Sequence, residues 1–151
     1  SLDEYERAGQ ELENPLERTE EVLEAGEHYY NIFCAVCHGE SGEGNGAIVE
    51  RGVYPAPPSY FTDYMMGLPE GKMFYSVHYG KGMMGSYDYA LSQRERWMVI
   101  HYIQSLQEAQ AGGEDAGEAE GAEAADEAEG GTEATDATET TETTETANGN
   151  S

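Results

Sequence analysis

Apolar positions recur at helical spacing in three stretches of this chain. In the first, Val22, Leu23, Gly26, Tyr29, Tyr30 and Phe33 follow Thr19, a residue able to cap a helix. Glu20, Glu21 and Glu24 place negative charge at the positive N-terminal end of that helix. In the last, Ser92 and Glu95 form a capping box, and Trp97, Ile100, Ile103 and Leu106 make an apolar stripe behind it. A shorter helix is predicted from Glu70 to about His78, with Met73, Phe74 and Val77 facing inward. Between the first and the short helix, Gly39, Gly42, Gly44, Gly46 and Gly52 lead into Pro55, Pro57 and Pro58, which predicts a loop wrapped against something rather than regular structure. In residues 1–18, Leu2, Tyr5 and Leu12 are too sparse for a core, so an extended N-terminal arm lying on a partner is expected.

Composition divides the chain sharply. Residues 1–106 hold all 7 basic residues and 17 of the 31 acidic ones, and the last basic residue is Arg96. From Gln107 onward there is no aromatic and no large aliphatic residue, only a run dominated by Glu, Asp, Ala, Gly and Thr that ends in Glu-Thr repeats from Glu139 to Thr146. Such a segment cannot bury enough apolar surface to fold, so 108–151 reads as a disordered, solvated acidic tail and 19–107 as a single compact domain. A formal net charge of −24 argues against nucleic acid as a partner. No apolar run is long enough to span a bilayer, and no basic start precedes an apolar stretch, which is what a chain that has lost an export leader would show.

The only two cysteines lie in the run Cys34, Ala35, Val36, Cys37, His38. C-x-x-C-H is the spacing of covalent c-type haem attachment. Two thiols one helical turn apart can add to the two vinyl groups of a porphyrin as thioethers, and the histidine that follows then lies over one face of the iron. Two cysteines are too few for an all-cysteine zinc site, and a redox dithiol of this spacing belongs after a strand, whereas the flanks here are helical. One haem c, held through Cys34 and Cys37 with His38 as axial ligand, is therefore expected. In so short a chain it would also supply much of the core. Covalent attachment takes place on the exported side of energy-transducing membranes, which implies a periplasmic setting.

A haem that only carries electrons needs both axial positions filled by protein. Met84, in the flexible run from Gly80 to Gly85, is the candidate for the second position, with its neighbour Met83 as competitor. Thioether ligation favours ferrous iron and suits a carrier fed from a quinol-linked donor. Met65, Met66, Met73 and Met98 read as core or loop filler, and His28, His78 and His101 as packed or surface histidines.

Gly26, Tyr30, Cys34, Cys37, His38 and Gly39, with Gly80 to Met84 and Trp97 to Leu106, together resemble the class I cytochrome c family over about 85 residues. Gly85 stands where that family usually has proline. The resemblance implies an all-α fold of three to five short helices around one haem. Gly26 and Tyr30 would pack on the last helix near Trp97, and a carbonyl of Pro55 or Pro57 would accept the Nδ1 proton of His38. Three further stretches, Glu13 to Leu16, Arg51 to Tyr60 and Gly85 to Tyr87, resemble the monohaem cytochrome c subunit of alternative complex III, a quinol-oxidising membrane complex of bacteria.

That resemblance implies an electron-transfer protein rather than an enzyme in its own right. It would be held in a membrane-bound respiratory complex beside other c-type cytochromes, passing electrons to a terminal oxidase or soluble carrier. A free or oxidase-linked periplasmic carrier is the alternative, with a haem peroxidase or gas-binding protein, or a domain merely stapled by its haem, as further readings. Tyr54 and Tyr60 are candidate contacts of the haem or its propionates, Arg51 is a candidate partner of a propionate, and Val36 and Ala56 are candidate neighbours of an exposed haem edge.

Overall fold

The computed structural model describes residues 1–119, with side chains to 113. The described residues are all-α. Four helices have ten residues or more: α1 (Leu2–Glu11), α2 (Glu20–Phe33), α6 (Glu70–Tyr79) and α7 (Gln93–Ala119). Three single turns stand between them, α3 (Ala35–His38), α4 (Ala47–Glu50) and α5 (Asp63–Met66). The expected loop over 39–64 is irregular apart from α4 and the start of α5.

The sequence signals at the helix ends act as expected. The Thr19 side chain accepts from the Val22 amide and opens α2. At α7, the Ser92 amide donates to Glu95 and the Glu95 amide to Ser92 Oγ. Helices α2 and α7 cross where a Cβ on Gly26 would run into the carbonyl of Met98, so a side chain there would force the two backbones apart. Tyr30, fully buried, packs its ring 5.2 Å from that of Tyr102 across the same crossing. Around it lie Val99, Ile103, Leu91 and Tyr60, and a second apolar cluster of Met73, Phe74, Trp97 and Ile100 joins α6 to α7. Met73, Phe74 and Val77 do face inward.

The N-terminal segment is not an extended arm. Ser1 and Glu4 form a capping box, and Leu2–Glu11 is a regular helix that buries Tyr5 and Ala8 against α6. Two residues suffice because the facing position on α6 is Gly71, where a Cβ would collide with the Ala8 carbonyl, so the helices touch backbone to backbone. Residues 12–18 then strap the same face. The Asn14 amide donates to Glu70 (2.7 Å), its side chain donates to the Trp97 carbonyl (3.0 Å), and His101 Nε2 donates to the Leu16 carbonyl (2.8 Å).

The far boundary also shifts. Gln107 is buried, donating to the carbonyls of Tyr60 and Met65, and α7 continues past it to Ala119. Over Glu108 to Ala111, alanine, glutamate and glutamine have enough intrinsic helix propensity to extend a helix already nucleated by packing. Glu108, assigned above to the tail, instead holds Arg18 through two hydrogen bonds of 2.6 and 2.8 Å. The remainder of the expected disordered tail, 120–151, lies outside the described residues.

Candidate functional site

Helix α2 ends at Phe33 and the chain makes one further turn, with the amides of Cys37 and His38 both bonded to the Cys34 carbonyl. That turn presents Cys34, Cys37 and His38 together to an apolar cavity of about 690 Å³, inside the roughly 300–1,000 Å³ typical of cofactor sites. Gly39 ends the turn in the left-handed region (φ 81°), and the buried Tyr30 hydroxyl donates to its carbonyl at 2.7 Å. The loop then wraps back, Gly44 and Gly46 donating to the carbonyls of His38 and Cys37.

Eight residues singled out from the sequence line this one cavity: Cys34, Cys37, His38, Tyr54, Pro55, Pro57, Tyr60 and Met84. Val36 and Ala56 line it too, and Val36 is 41% exposed at its edge. Arg51, His28, His78 and His101 do not. Met65, Met73 and Met83 also reach the cavity. The two neighbouring methionines differ in setting. Met83 is 62% exposed, with its carbonyl taken by the Tyr54 hydroxyl at 2.7 Å, whereas Met84 is half-buried and its backbone is pinned by two hydrogen bonds with Lys81.

The polar groups suit a covalently held haem. The cysteines are not bonded to each other. Burial, with Cys37 nearby, pushes the Cys34 thiol up to about 12, the reverse of the depressed value of a redox-active dithiol. Among the described residues no three His, Cys, Asp or Glu side chains cluster as a metal site. Burial pulls the His38 imidazole down to about 4, so it is neutral at neutral pH, the form that ligates a metal. Its Nδ1 is buried with no hydrogen-bond partner.

The expected bond from that nitrogen to a proline carbonyl is therefore not made. The imidazole instead lies flat on the Tyr60 ring (centroids 4.9 Å, 13° between planes), and the Pro57 carbonyl is turned against Gly44, where a Cβ would strike it.

Lys81, Tyr5 and Tyr64 line the cavity without having been singled out as site residues. The Ser-x-x-Glu pattern at Ser1 to Glu4, with Tyr5 and Ala8 one turn apart, was the available signal for α1.

A family model described as cytochrome c oxidase, cbb3-type, subunit III matches residues 21–103. The span runs from the first turn of α2 into α7 and includes the whole C-x-x-C-H turn. Among solved structures, a chain of the Kuenenia stuttgartiensis reducing HAO-like protein complex is similar, with 28% identity and a TM-score of 0.52. The match covers 63% of this chain and 49% of that one, so this chain spans about half the length of that relative. No curated protein sequence matches it.

Proposed function

This chain belongs to the family described as cytochrome c oxidase, cbb3-type, subunit III, a c-type cytochrome with covalently bound haem c, and we propose that Cys34, Cys37, His38 and Met84 hold that haem for one-electron transfer. The observation that carries the assignment is convergence. Four segments separated by up to 50 residues, the C-x-x-C-H turn, the proline loop, Tyr60 and the methionine loop, meet on one apolar cavity.

When bound, the haem supplies the one-electron couple. Cys34 and Cys37 fix it covalently at the end of α2, on a turn held by buried hydrogen bonds, so that little reorganises when the charge changes. His38, kept neutral by burial, and the Met84 thioether are the groups that would hold the iron, and a thioether partner would favour the reduced state. Apolar walls exclude water, while Val36, Tyr54 and Met83 remain exposed at the rim, where a partner can approach. With His38 and Met84 both holding it, the haem would be suited to carrying electrons rather than to binding peroxide or a gas.

The carrier serves as a subunit of alternative complex III, on the periplasmic side of the membrane, exchanging electrons with other c-type cytochromes of the complex and a terminal oxidase or soluble carrier. This reading is supported by the resemblance of Glu13–Leu16, Arg51–Tyr60 and Gly85–Tyr87 to that subunit. Among the described residues no helix is long and apolar enough to cross a membrane. The family description favours a second reading, a domain linked to a haem-copper oxidase.

Purification from native membranes in mild detergent, with haem staining and identification of co-purifying subunits, tests these. Quinol-oxidising subunits are expected, oxidase subunits would select the second reading, and a free monomer would overturn both while leaving the carrier. A reduced protein that stays low-spin and refuses carbon monoxide, with a sulfur-to-iron near-infrared band when oxidised, is the expected spectral result. High-spin iron would overturn the His38 and Met84 ligation.

A further inference from the structure

Of the described side chains that line the cavity, Lys81 is the only lysine, arginine, aspartate or glutamate. It stands on the wall formed with α1 and α5. Its Nζ donates to the Tyr5 hydroxyl at 2.9 Å and lies 4.1 Å from the centre of that ring, and Tyr64 lines the cavity with them. Lys72, the other ammonium near Tyr5, is already paired with Glu6 at 2.7 Å, whereas among the described residues no carboxylate pairs with Lys81. Tyr5 is only 9% exposed. Burial would raise its phenol, yet the hydrogen bonds of Lys81 and Tyr64 and the charges of Lys81 and Lys72 bring it below the ordinary tyrosine range. An otherwise apolar cavity thus has one electropositive corner with hydroxyl donors.

A haem carries two carboxylates at one edge, and a carboxylate withdrawn from water needs a cation or several donors. We infer that Lys81 and Tyr5, with Tyr64 beside them, form the corner that receives a haem propionate. Helix α1 is then part of the cofactor site, not an accessory to it. Arg51, the propionate partner suggested by the sequence, is exposed and off the cavity wall. The assignment rests on the haem-carrying reading above. It goes beyond that reading in giving the charged edge of the cofactor a partner and an orientation. It also couples α1 to the methionine loop, because Lys81 is bonded through its backbone to Met84.

The test uses the full haem-loaded chain with Lys81→Gln, Lys81→Arg, Tyr5→Phe and, as control, Arg51→Gln. Two readouts report on the corner, the propionate bending band in resonance Raman spectra and the ferric to ferrous ratio at a fixed ambient potential. Losing a positive charge beside the cofactor should move Lys81→Gln toward ferric by about three- to tenfold and shift the propionate band. Lys81→Arg should restore both. Tyr5→Phe, which keeps the packing of α1, should shift the band by less, and Arg51→Gln should change neither. If the haem is attached and the sulfur-to-iron band intact, but Lys81→Gln and Tyr5→Phe leave both readouts unmoved, the propionates lie elsewhere and the assignment fails. A shift in Arg51→Gln instead, or loss of the sulfur-to-iron band in Lys81→Gln, would overturn it as well. A polypeptide that carries no covalent haem would bring down the haem-carrying reading itself.

Discussion

Two helix crossings in this protein use the same device to different depths. At α2 and α7, Gly26 meets the Met98 carbonyl; at α1 and α6, Gly71 meets the Ala8 carbonyl. The first crossing is flanked by Tyr30, Val99 and Ile100, all fully buried, and it carries the turn that bears Cys34, Cys37 and His38. The second buries Tyr5 and Ala8 and is finished at its rim by the Lys72–Glu6 pair. A glycine contact therefore sets how closely two helices approach, while the surrounding apolar area sets how much stability rides on that approach. The deep crossing holds the fold. The shallow one places a single tyrosine at the cavity wall.

Matched substitutions probe this difference. Gly→Ala in an unobstructed helix interior stabilises by about 1 kcal/mol. At both of these sites the new methyl would meet a facing main-chain carbonyl, which has little freedom to move. Gly26→Ala is expected to have the largest effect, a net loss of about 3 kcal/mol or more in denaturant unfolding of the haem-loaded protein, since α2 and α7 cannot part without opening the core. Near-native stability in this variant would mean that the crossing is not the foundation of the fold. Gly71→Ala should cost about 1–2 kcal/mol, because α1 can lift while the rest stays folded. Amide hydrogen exchange should show lost protection in residues 2–11 and unchanged protection in α2 and α7. Uniform loss would make the two crossings one cooperative unit.

The smallest effect belongs to Arg18→Gln. Arg18 holds the Glu108 carboxyl below its ordinary value, so the pair stabilises above the unfolded carboxylate range and its contribution disappears as pH falls through the lowered folded value. The pair is half in solvent, so the difference from wild type should stay under about 1 kcal/mol at neutral pH, shrink in high salt and vanish in acid. A difference that persists in acid would place the role of Arg18 in packing.

The deep crossing was legible in the chain because its signals are local and redundant. Thr19 caps α2, Ser92 and Glu95 cap α7, and each helix has an apolar face broad enough to show a period. The C-x-x-C-H run was legible for a different reason, since three reactive side chains at that spacing serve one chemistry. The shallow crossing showed almost nothing, because two buried side chains, Tyr5 and Ala8, do not make a period. The glycine that allows their contact, Gly71, lies more than sixty residues away. Gln107 was opaque for a similar reason. A polar side chain at the head of an acidic run reads as solvent-facing until the Tyr60 and Met65 carbonyls are seen beside it.

From the linear chain one can read the cofactor, the C-x-x-C-H run and the helices that flank it, because caps, helical period and the spacing of two thiols and an imidazole act over a few residues. Folding in three dimensions settled which methionine lies half-buried against the cavity and which faces out, where the His38 ring rests, and that Lys81, Tyr5 and Tyr64 share one corner of the cavity wall. Those facts depend on contacts between segments up to 76 residues apart, and distance in space between such segments leaves no mark on the order of the residues.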